Sequence, residues 1–298
     1  MHRNMASAQS KIFNILLRLI NKKGLLKRQF AKGRFDAFIS PTPPKKILRT
    51  CNIDTDQING HNVFTLKPRH NISKKHILYL HGGAYVTNFV SPHWYFLELI
   101  SAETQCVITA PDYPLAPKHT YKAVFEMMVK LYQKLLLTVH SSDLILMGDS
   151  AGGGLALALT QKLKLENLPL PCHTILLCPW LDITLSNPEI PMIDPIDPFT
   201  GIEGLRLAGK VYAGDSDPTH YLLSPINGPL KGLGKISIFA GTRDILVADS
   251  RKLKSLAESQ GAAIDYYEYK DMIHAWMLLF LPESKKAKDE IAELIKSS

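Results

Sequence analysis

The sequence predicts an α/β fold in which a mostly parallel central sheet is flanked by helices and carries a helical cap. One observation is the alternation of short apolar runs with helical segments from about residue 77 onward. Another is a turn of small residues directly after one of these runs. The third is a long interruption rich in proline between two runs, which is typical of an inserted lid.

The N-terminal segment from about Ser10 to Arg34 is predicted to form one or two helices. Apolar residues recur there at helical spacing, so the segment is amphipathic. We expect this apolar stripe to be buried against the rest of the protein. The stripe consists of Ile12, Ile15, Leu16, Leu19 and Ile20.

Strands and helices then follow one another along the chain, which favours βαβ units with right-handed crossovers. The predicted strands are Ile77–Leu80, Val107–Ala110, Leu144–Met147, Thr174–Cys178, Ile236–Ala240 and Ile264–Tyr269. The predicted helices are Trp94–Glu103, Tyr121–Leu137, Leu155–Leu165, Asp249–Gln260 and Lys285–Ile295.

The segment from about 182 to 221 breaks this alternation. It has no strand signal and contains five prolines, and a helix is predicted near Gly201–Tyr212. We expect the insertion to belong to one α/β domain that spans residues 1–298.

Composition places the chain among soluble globular proteins, with 46% hydrophobic and 21% charged residues. The four cysteines show no CxxC spacing, so neither a disulfide framework nor a zinc site is expected. Cys106 and Cys178 lie in apolar runs and are predicted to be buried free thiols. Asn14 and Arg18 interrupt the N-terminal apolar stretch, so a signal peptide is not expected and the cytoplasm is the default location.

The formal net charge is +8, and cationic residues cluster near the N-terminus. We interpret this cluster as the solvated face of a helix. Binding to an anionic surface, either nucleic acid or membrane, is the alternative, although no nucleic-acid motif accompanies it. The cluster is Lys22, Lys23, Lys27, Arg28, Lys32 and Arg34.

Ser150 lies in Gly148-Asp149-Ser150-Ala151-Gly152, between an apolar run and a run of small residues. The pattern indicates a strand, a sharp turn and a helix. Such a turn holds the serine hydroxyl out from the sheet, and its glycines avoid Cβ clashes. The turn therefore predicts a nucleophilic serine, unless it is merely a turn of small residues into a helix.

A second motif decides between these interpretations. The sequence His81-Gly82-Gly83-Ala84-Tyr85 follows the predicted strand Ile77–Leu80, upstream of the serine turn. Glycines at this place let backbone N–H groups turn toward a reacting carbonyl oxygen, as an oxyanion hole requires. The two motifs in this order predict a serine hydrolase.

A serine nucleophile needs a histidine base and an acid that orients it, in the chain order Ser, acid, His. The histidines after Ser150 are His173, His220 and His274. We predict His274 as the base because it follows the last predicted strand, where a loop can reach back over Ser150.

The acid is expected at the end of the preceding strand, and Asp244 occupies that place. Asp249 is expected to cap the next helix. Asp271 is too close in sequence to His274 for easy pairing.

Together the motifs resemble the hormone-sensitive-lipase-like esterases, a branch of the α/β-hydrolases. The resemblance covers about Ile77 to the C-terminus. It rests on His81–Tyr85, Asp112–Pro117, Gly148–Gly153, Pro179–Asp182, Asp244–Leu246 and His274–Trp276.

The resemblance implies that Ser150, Asp244 and His274 form a catalytic triad. It also implies an oxyanion hole made by Gly82, Gly83 and the N–H of Ala151. The cap would be formed by the N-terminal helices, approximately 1–45, and by the insertion at 182–221. Tyr85 and Trp276 are predicted to line the substrate pocket, with ordinary core packing as the alternative.

The predicted function is a serine carboxylesterase that hydrolyses small to medium, mostly short-acyl esters through an acyl-enzyme intermediate. The expected partner is a small-molecule ester. No cofactor, metal, nucleic acid or stable membrane insertion is expected, and a homodimer stays open. A lactonase, an amidase or a deacetylase using the same residues is one alternative. An inactive ligand-binding protein is another, although such a protein would have lost the histidine that His274 supplies.

Overall fold

The protein contains one eight-stranded sheet in the part that the computed structural model describes, residues 6–34 and 39–298. The strand order across the sheet is β1-β2-β4-β3-β5-β6-β7-β8. The strands are β1 Cys51–Ile58, β2 His61–Pro68, β3 His76–Leu80, β4 Val107–Pro111, β5 Leu144–Asp149, β6 His173–Leu177, β7 Lys235–Arg243 and β8 Ile264–Ile273.

The pairing from β4 to β8 is parallel, and β2 joins β1 and β4 antiparallel. The mostly parallel α/β sheet predicted from the sequence is therefore confirmed. The carboxyl ends of parallel strands meet at one edge, so the loops that follow β3, β5, β7 and β8 come close together.

Helices cover both faces of the sheet. They are α1 Ala8–Leu19, α2 Lys22–Ala31, α3 Ser91–Thr104, α4 Tyr121–Leu136, α5 Ala151–Leu165, α6 Ile190–Ile193, α7 Ile202–Ala213, α8 Val247–Ser259 and α9 Pro282–Lys296. Every helix predicted from periodicity is present, with its ends shifted by a few residues. The largest shift is in α5, which begins at Ala151 immediately after the serine turn rather than at Leu155.

The antiparallel hairpin β1–β2 was not predicted from the sequence. The strands are joined by Asn59-Gly60, and both residues have positive φ angles, 50° and 79°. This dipeptide is a strong signal for a two-residue hairpin turn, because both turn residues must adopt left-handed conformations. Because β1 lies at the edge of the sheet, it is mostly exposed and polar. It therefore lacks the apolar run from which β3 to β8 were predicted.

Two hydrophobic cores lie on opposite faces of the sheet. Side chains alternate between them, so Leu78 and Leu146 belong to one core and Ile77 and Ile145 to the other. The first core packs under α4, α5 and α8, and the second under α3 and α9. The central strands are buried on both faces, as expected of a parallel sheet.

The insertion at 182–221 contains α6 and α7, and α2 packs against α7. The contact includes ion pairs from Lys23 to Asp194, at 2.6 Å, and from Lys27 to Glu203. Of the predicted N-terminal cap element, residues 1–5 and 35–38 lie outside the described residues.

The apolar stripe of α1 faces solvent, so the prediction that it is buried is wrong. The five residues of the stripe are each more than half exposed, whereas Ser10 and Asn14 on the opposite side are buried. Polar contacts from that opposite side fix the helix, as described below.

The four cysteines are free, and Cys106 and Cys178 are buried, as predicted. None of the helices in the described ranges is long and apolar enough to cross a membrane.

Candidate active site

Ser150 occupies a strained turn between β5 and α5. Its φ of 53° and ψ of −121° lie outside the regions that side chains ordinarily adopt. The neighbouring glycines make the turn sterically accessible. A Cβ on Gly148 would lie 2.3 Å from the carbonyl oxygen of Gly152, and a Cβ on Gly152 would lie 2.0 Å from that of Leu80. The backbone N–H of Ser150 donates to Leu177 at 2.8 Å and so holds the turn against β6.

Ser150, Asp244 and His274 come together at the carboxyl edge of the sheet. Nε2 of His274 lies 2.9 Å from Oγ of Ser150, and Nδ1 lies 2.7 Å from Oδ2 of Asp244. All three side chains are buried. With a proton on Nδ1, the imidazole donates to the carboxylate and accepts from the hydroxyl, which is the geometry of a base-activated serine.

The alternative histidines and acids make other contacts. The ring of His173 contacts Ser237 and Ser298, and that of His220 packs against Tyr121 and Tyr221. Asp271 forms an ion pair with Arg243 at 3.0 Å. Asp249 is not the cap of α8, because the helix begins at Val247 and the Asp249 carboxylate instead accepts from Asn187.

The turn after β3 differs in part from the predicted oxyanion hole. The N–H of Gly82 donates to Oδ1 of Asp149 at 2.8 Å, so this donor is engaged and the prediction for Gly82 is wrong in this structure. The N–H groups of Gly83, Ala84 and Ala151 have no acceptor among the described residues. Gly83 and Ala84 line the cavity beside Ser150.

A cavity of about 1050 Å³ opens over Ser150 and His274. The residues of the β3 turn form one side, and α2 and the start of α7 form the other. Its apolar lining includes Leu26, Phe199, Leu205 and Leu278. An apolar cavity that converges on a few polar groups is the usual form of a small-molecule site.

The comparisons with known proteins agree with this geometry. Residues 77–278 match the family described as the alpha/beta hydrolase fold. This chain belongs to the α/β hydrolase family. An esterase of Acinetobacter venetianus is 32% identical over 225 residues, which cover 74% of each chain.

Solved structures extend the likeness over the whole chain. The protein EstE5, from a crystal soaked with p-nitrophenyl butyrate, is 27% identical with a TM-score of 0.84, covering 98% of this chain and 99% of that one. A hormone-sensitive lipase from a metagenome library shares the fold at 24% identity and a TM-score of 0.84, covering 99% of each chain. The α/β hydrolase described here is a carboxylic ester hydrolase, as its motifs predicted.

The electrostatics of this α/β hydrolase raise the pKa of His274. Burial lowers the pKa of the imidazole, but the charge and hydrogen bond of Asp244 raise it more, and Asp197 and Asp149 add to the rise. The net pKa is above that of an ordinary histidine. A cation formed on His274 during a reaction would therefore be stabilised by buried carboxylates.

Asp149, which received no role from the sequence, anchors the turn that contains Gly83 and Ala84 by accepting from the Gly82 N–H.

 Tyr79 donates to Oδ1 of this carboxylate at 2.6 Å, and Nε2 of His93 lies 3.4 Å from Oδ2. Burial raises the pKa of Asp149, but the contacts with His93, Tyr79 and the Gly82 N–H lower it more, so the net shift is downward. The ionised carboxylate therefore ties the glycine turn to the turn that carries Ser150.

Tyr85 and Trp276 do not line the cavity, so the pocket prediction is wrong for both. Tyr85 is stacked on Tyr212, with ring centroids 3.8 Å apart, and is buried in one core. Trp276 is buried in the other core beside Tyr269. Core packing, the alternative weighed for each residue, is what the structure contains.

Asp197 and Phe199 were missed by the sequence reasoning. The Asp197 carboxylate accepts the N–H groups of Phe199, Thr200 and Ile245 at 2.7, 2.9 and 3.0 Å, and also the Thr200 hydroxyl. Burial, followed by the charge of Asp244, raises its pKa to about 6. The sequence showed only an Asp-Pro loop, because the contact with Ile245 joins segments that are far apart in the chain.

The same network places an aromatic wall beside the base. The ring of Phe199 lies 5.9 Å from that of His274, centroid to centroid, and lines the cavity. Asp197 therefore connects the insertion to the loop of Asp244 and holds Phe199 against His274.

A group of potential metal ligands in the described part of the chain coincides with these residues. Sγ of Cys178, the Asp244 carboxylate and a nitrogen of His274 lie within 4.8 Å of one another. Burial and the charge of Asp244 raise the pKa of the Cys178 thiol well above its usual value, whereas metal binding needs the thiolate. The carboxylate and imidazole are also bonded to each other, so the group does not fit a metal ion.

Proposed function

We propose that the protein is a serine carboxylesterase in which Ser150 is the nucleophile, His274 the base and Asp244 the acid that orients it. The observation that carries the proposal is the pair of contacts at 2.9 and 2.7 Å that joins the three side chains beneath one cavity. The membership of the carboxylic ester hydrolases supplies the reaction class.

In the first step Oγ of Ser150 attacks the ester carbonyl carbon while its proton passes to Nε2 of His274. The N–H groups of Gly83 and Ala151, which have no acceptor within the described residues, are proposed to bind the resulting oxyanion. The bond to the alkoxy oxygen then breaks, and the departing alcohol takes the proton from His274.

In the second step water attacks the acyl-enzyme and gives its proton to His274. The bond to Oγ breaks, the carboxylic acid is released, and the proton returns to Ser150. Asp244 stays ionised throughout and stabilises the imidazolium.

We further propose small to medium esters with mostly short acyl chains as substrates, and a cap formed by α2 and the insertion. The soaking of EstE5 with p-nitrophenyl butyrate supports a short acyl group. The small residues Gly83 and Ala84 beside Ser150 support an acyl group of modest size. The apolar lining residues Leu26, Phe199 and Leu205 support an uncharged one.

A series of p-nitrophenyl esters from acetate to palmitate tests the proposal, with lactones and anilides alongside. Acetate or butyrate should be hydrolysed with the highest kcat/KM. Preferred turnover of a lactone or an anilide would replace the esterase assignment of the natural substrate with one of those reactions.

A fluorophosphonate probe tests the nucleophile. It should label the wild-type protein and Ser101→Ala, which removes another buried serine hydroxyl on α3. It should not label Ser150→Ala. Labelling and turnover by a folded Ser150→Ala protein would contradict the proposed mechanism.

A further inference from the structure

Helix α1 exposes most of its apolar side chains to solvent and turns two polar side chains toward the protein. The buried side contains Ser10, Asn14 and Leu17, which are 2%, 6% and 6% exposed, and Phe13 packs against the second core. The outward side carries Ile12 at 58%, Ile15 at 56%, Leu16 at 51%, Leu19 at 76% and Ile20 at 56% exposure. We call these five residues the α1 apolar face.

Polar contacts at both ends fix this orientation. Near the N-terminus of α1, the Ser7 N–H and the Ser10 hydroxyl donate to Glu283 at 2.5 and 2.6 Å. Near the C-terminus, Arg18 donates to the carbonyl oxygen of Ile196 at 2.9 Å. Rotating α1 to bury the apolar face would break these contacts. The contacts therefore stabilise the orientation in which the apolar face is exposed.

The α1 apolar face is large for a protein surface exposed to water. Its members recur at positions i, i+3, i+4, i+7 and i+8 and so form one contiguous strip. Ile196, which is 45% exposed and accepts from Arg18, extends the apolar surface onto the insertion. Contiguous apolar patches of this kind mark contacts with a partner or a membrane.

The charge around the patch identifies the partner. Residues 1–34 contain nine Lys and Arg and no Asp or Glu. Because the whole chain has 35 Lys and Arg and 27 Asp and Glu, the remainder carries 26 cationic and 27 acidic residues. The net positive charge of the protein is therefore confined to the segment that holds α1 and α2.

This charge disfavours a second copy of the chain as the occupant of the face. A twofold contact would oppose the same patch on both copies, and so would bring their Lys11 and Arg18 side chains toward like charges. An anionic lipid surface matches both features, since acyl chains accept the apolar residues and phosphates attract the cations. The twelve residues of α1 are too few to span a bilayer, so the helix would lie in the interface.

We propose that α1 docks the protein on anionic lipid surfaces, with the α1 apolar face below the headgroups and the exposed cations Lys11, Arg18 and Arg28 against the phosphates. The residues Asn21–Gly24 line the cavity directly after α1. Docking would therefore hold the cavity at the boundary between lipid and water, where apolar small molecules concentrate. The proposal concerns location and does not depend on the proposed catalytic residues.

Co-sedimentation of the full chain with vesicles tests the proposal. One set contains phosphatidylcholine with phosphatidylglycerol, and the other contains phosphatidylcholine alone. The wild-type protein should bind the anionic vesicles at least about ten-fold more strongly, and added salt should weaken the binding.

Two sets of substitutions separate the apolar and the electrostatic contributions. The variant Ile12→Gln/Leu16→Gln/Leu19→Gln should reduce binding by roughly ten-fold or more. Its control, Ile72→Gln/Leu137→Gln/Leu165→Gln, changes three equally exposed apolar residues elsewhere and should bind normally.

The charge variant Lys11→Gln/Arg28→Gln/Lys32→Gln should also weaken binding. Its control, Lys74→Gln/Lys118→Gln/Lys252→Gln, removes the same charge from exposed sites outside the segment and should have a smaller effect. Hydrolysis of a soluble ester should stay unchanged in these variants, because none of the substituted residues lines the cavity.

The proposal is overturned if the wild-type protein does not bind anionic vesicles, or if the α1 variant binds as well as its control does. Sedimentation velocity without vesicles gives a second check. A wild-type dimer that the α1 variant dissociates would assign the face to a second copy of the chain instead.

Discussion

Substitution of Gly83 by alanine should separate the proposed oxyanion function of the turn after β3 from its contribution to stability. Gly83 has a φ of 120°, which residues with a side chain rarely adopt, and a Cβ there would lie 2.3 Å from the backbone oxygen of Thr87. The Thr87 N–H donates to the oxygen of Gly83 at 2.9 Å, so Thr87 cannot move away from the added Cβ on its own. The whole turn must therefore move. The backbone strain should cost about 1–3 kcal/mol of unfolding free energy.

The movement should also displace the Gly83 N–H from the position that an oxyanion would occupy. Loss of one such donor lowers kcat by about 10²–10³-fold. KM should change little, because the oxyanion forms only in the transition state. Steady-state hydrolysis of p-nitrophenyl butyrate and urea unfolding measure the two effects on the same sample.

Gly261→Ala is the matched control. Gly261 also has a positive φ, 68°, but an added Cβ would meet no atom within 4 Å. It should cost about 1 kcal/mol of stability and leave kcat unchanged. Wild-type kcat in a folded Gly83→Ala protein would refute the assignment of the Gly83 N–H as an oxyanion donor.

Three further predictions concern the triad and the cavity. Asp244→Asn should lower kcat on the order of 10⁴-fold, less than Ser150→Ala does, because it removes the carboxylate that orients His274; equal ester turnover by Asp244→Asn and wild type would exclude that role. The raised pKa of His274 should place the acidic limb of the kcat/KM profile at a higher pH than an ordinary histidine would, and Asp197→Asn should move it to lower pH by removing a charge that raises this pKa. Asp249→Asn, which removes another buried carboxyl with a pKa of about 6, is the control and should leave the limb in place. Leu26→Trp should fill part of the cavity, so hydrolysis of longer p-nitrophenyl esters should fall more than that of the acetate; an unchanged chain-length profile would place the acyl group elsewhere.

The contacts that join Ser150, His274 and Asp244 could be predicted from two sources, the local pattern of the serine turn and the chain order of its partners. A Cβ on Gly148 or Gly152 would lie 2.0–2.3 Å from a backbone oxygen, so both positions require glycine. This requirement is visible in the sequence as a glycine pattern around Ser150. His274 and Asp244 followed from chain order, since each comes directly after a strand of the parallel sheet. The histidine and acid were thus fixed by topology rather than by any pattern around them.

The polar contacts that support these residues could not be predicted. Asp149 reaches across to the Gly82 N–H, and Asp197 reaches across to the Ile245 N–H. Each contact joins segments that are distant in sequence, and neither residue lies in a pattern that requires a carboxylate. The oxyanion hole was therefore predicted with one donor, the Gly82 N–H, that the structure engages with Asp149 instead.

The orientation of α1 shows a second limit of sequence patterns. Periodicity established the amphipathic stripe, but an apolar stripe can face either a core or a membrane. The deciding contacts are those of Ser7 and Ser10 with Glu283, almost the whole chain away. As a result α2 rather than α1 forms the wall of the cavity, through its packing on α7 and its ion pairs to the insertion. Changes in α2 should therefore alter the ester specificity of the enzyme, whereas changes in the α1 apolar face should alter its binding to lipid surfaces.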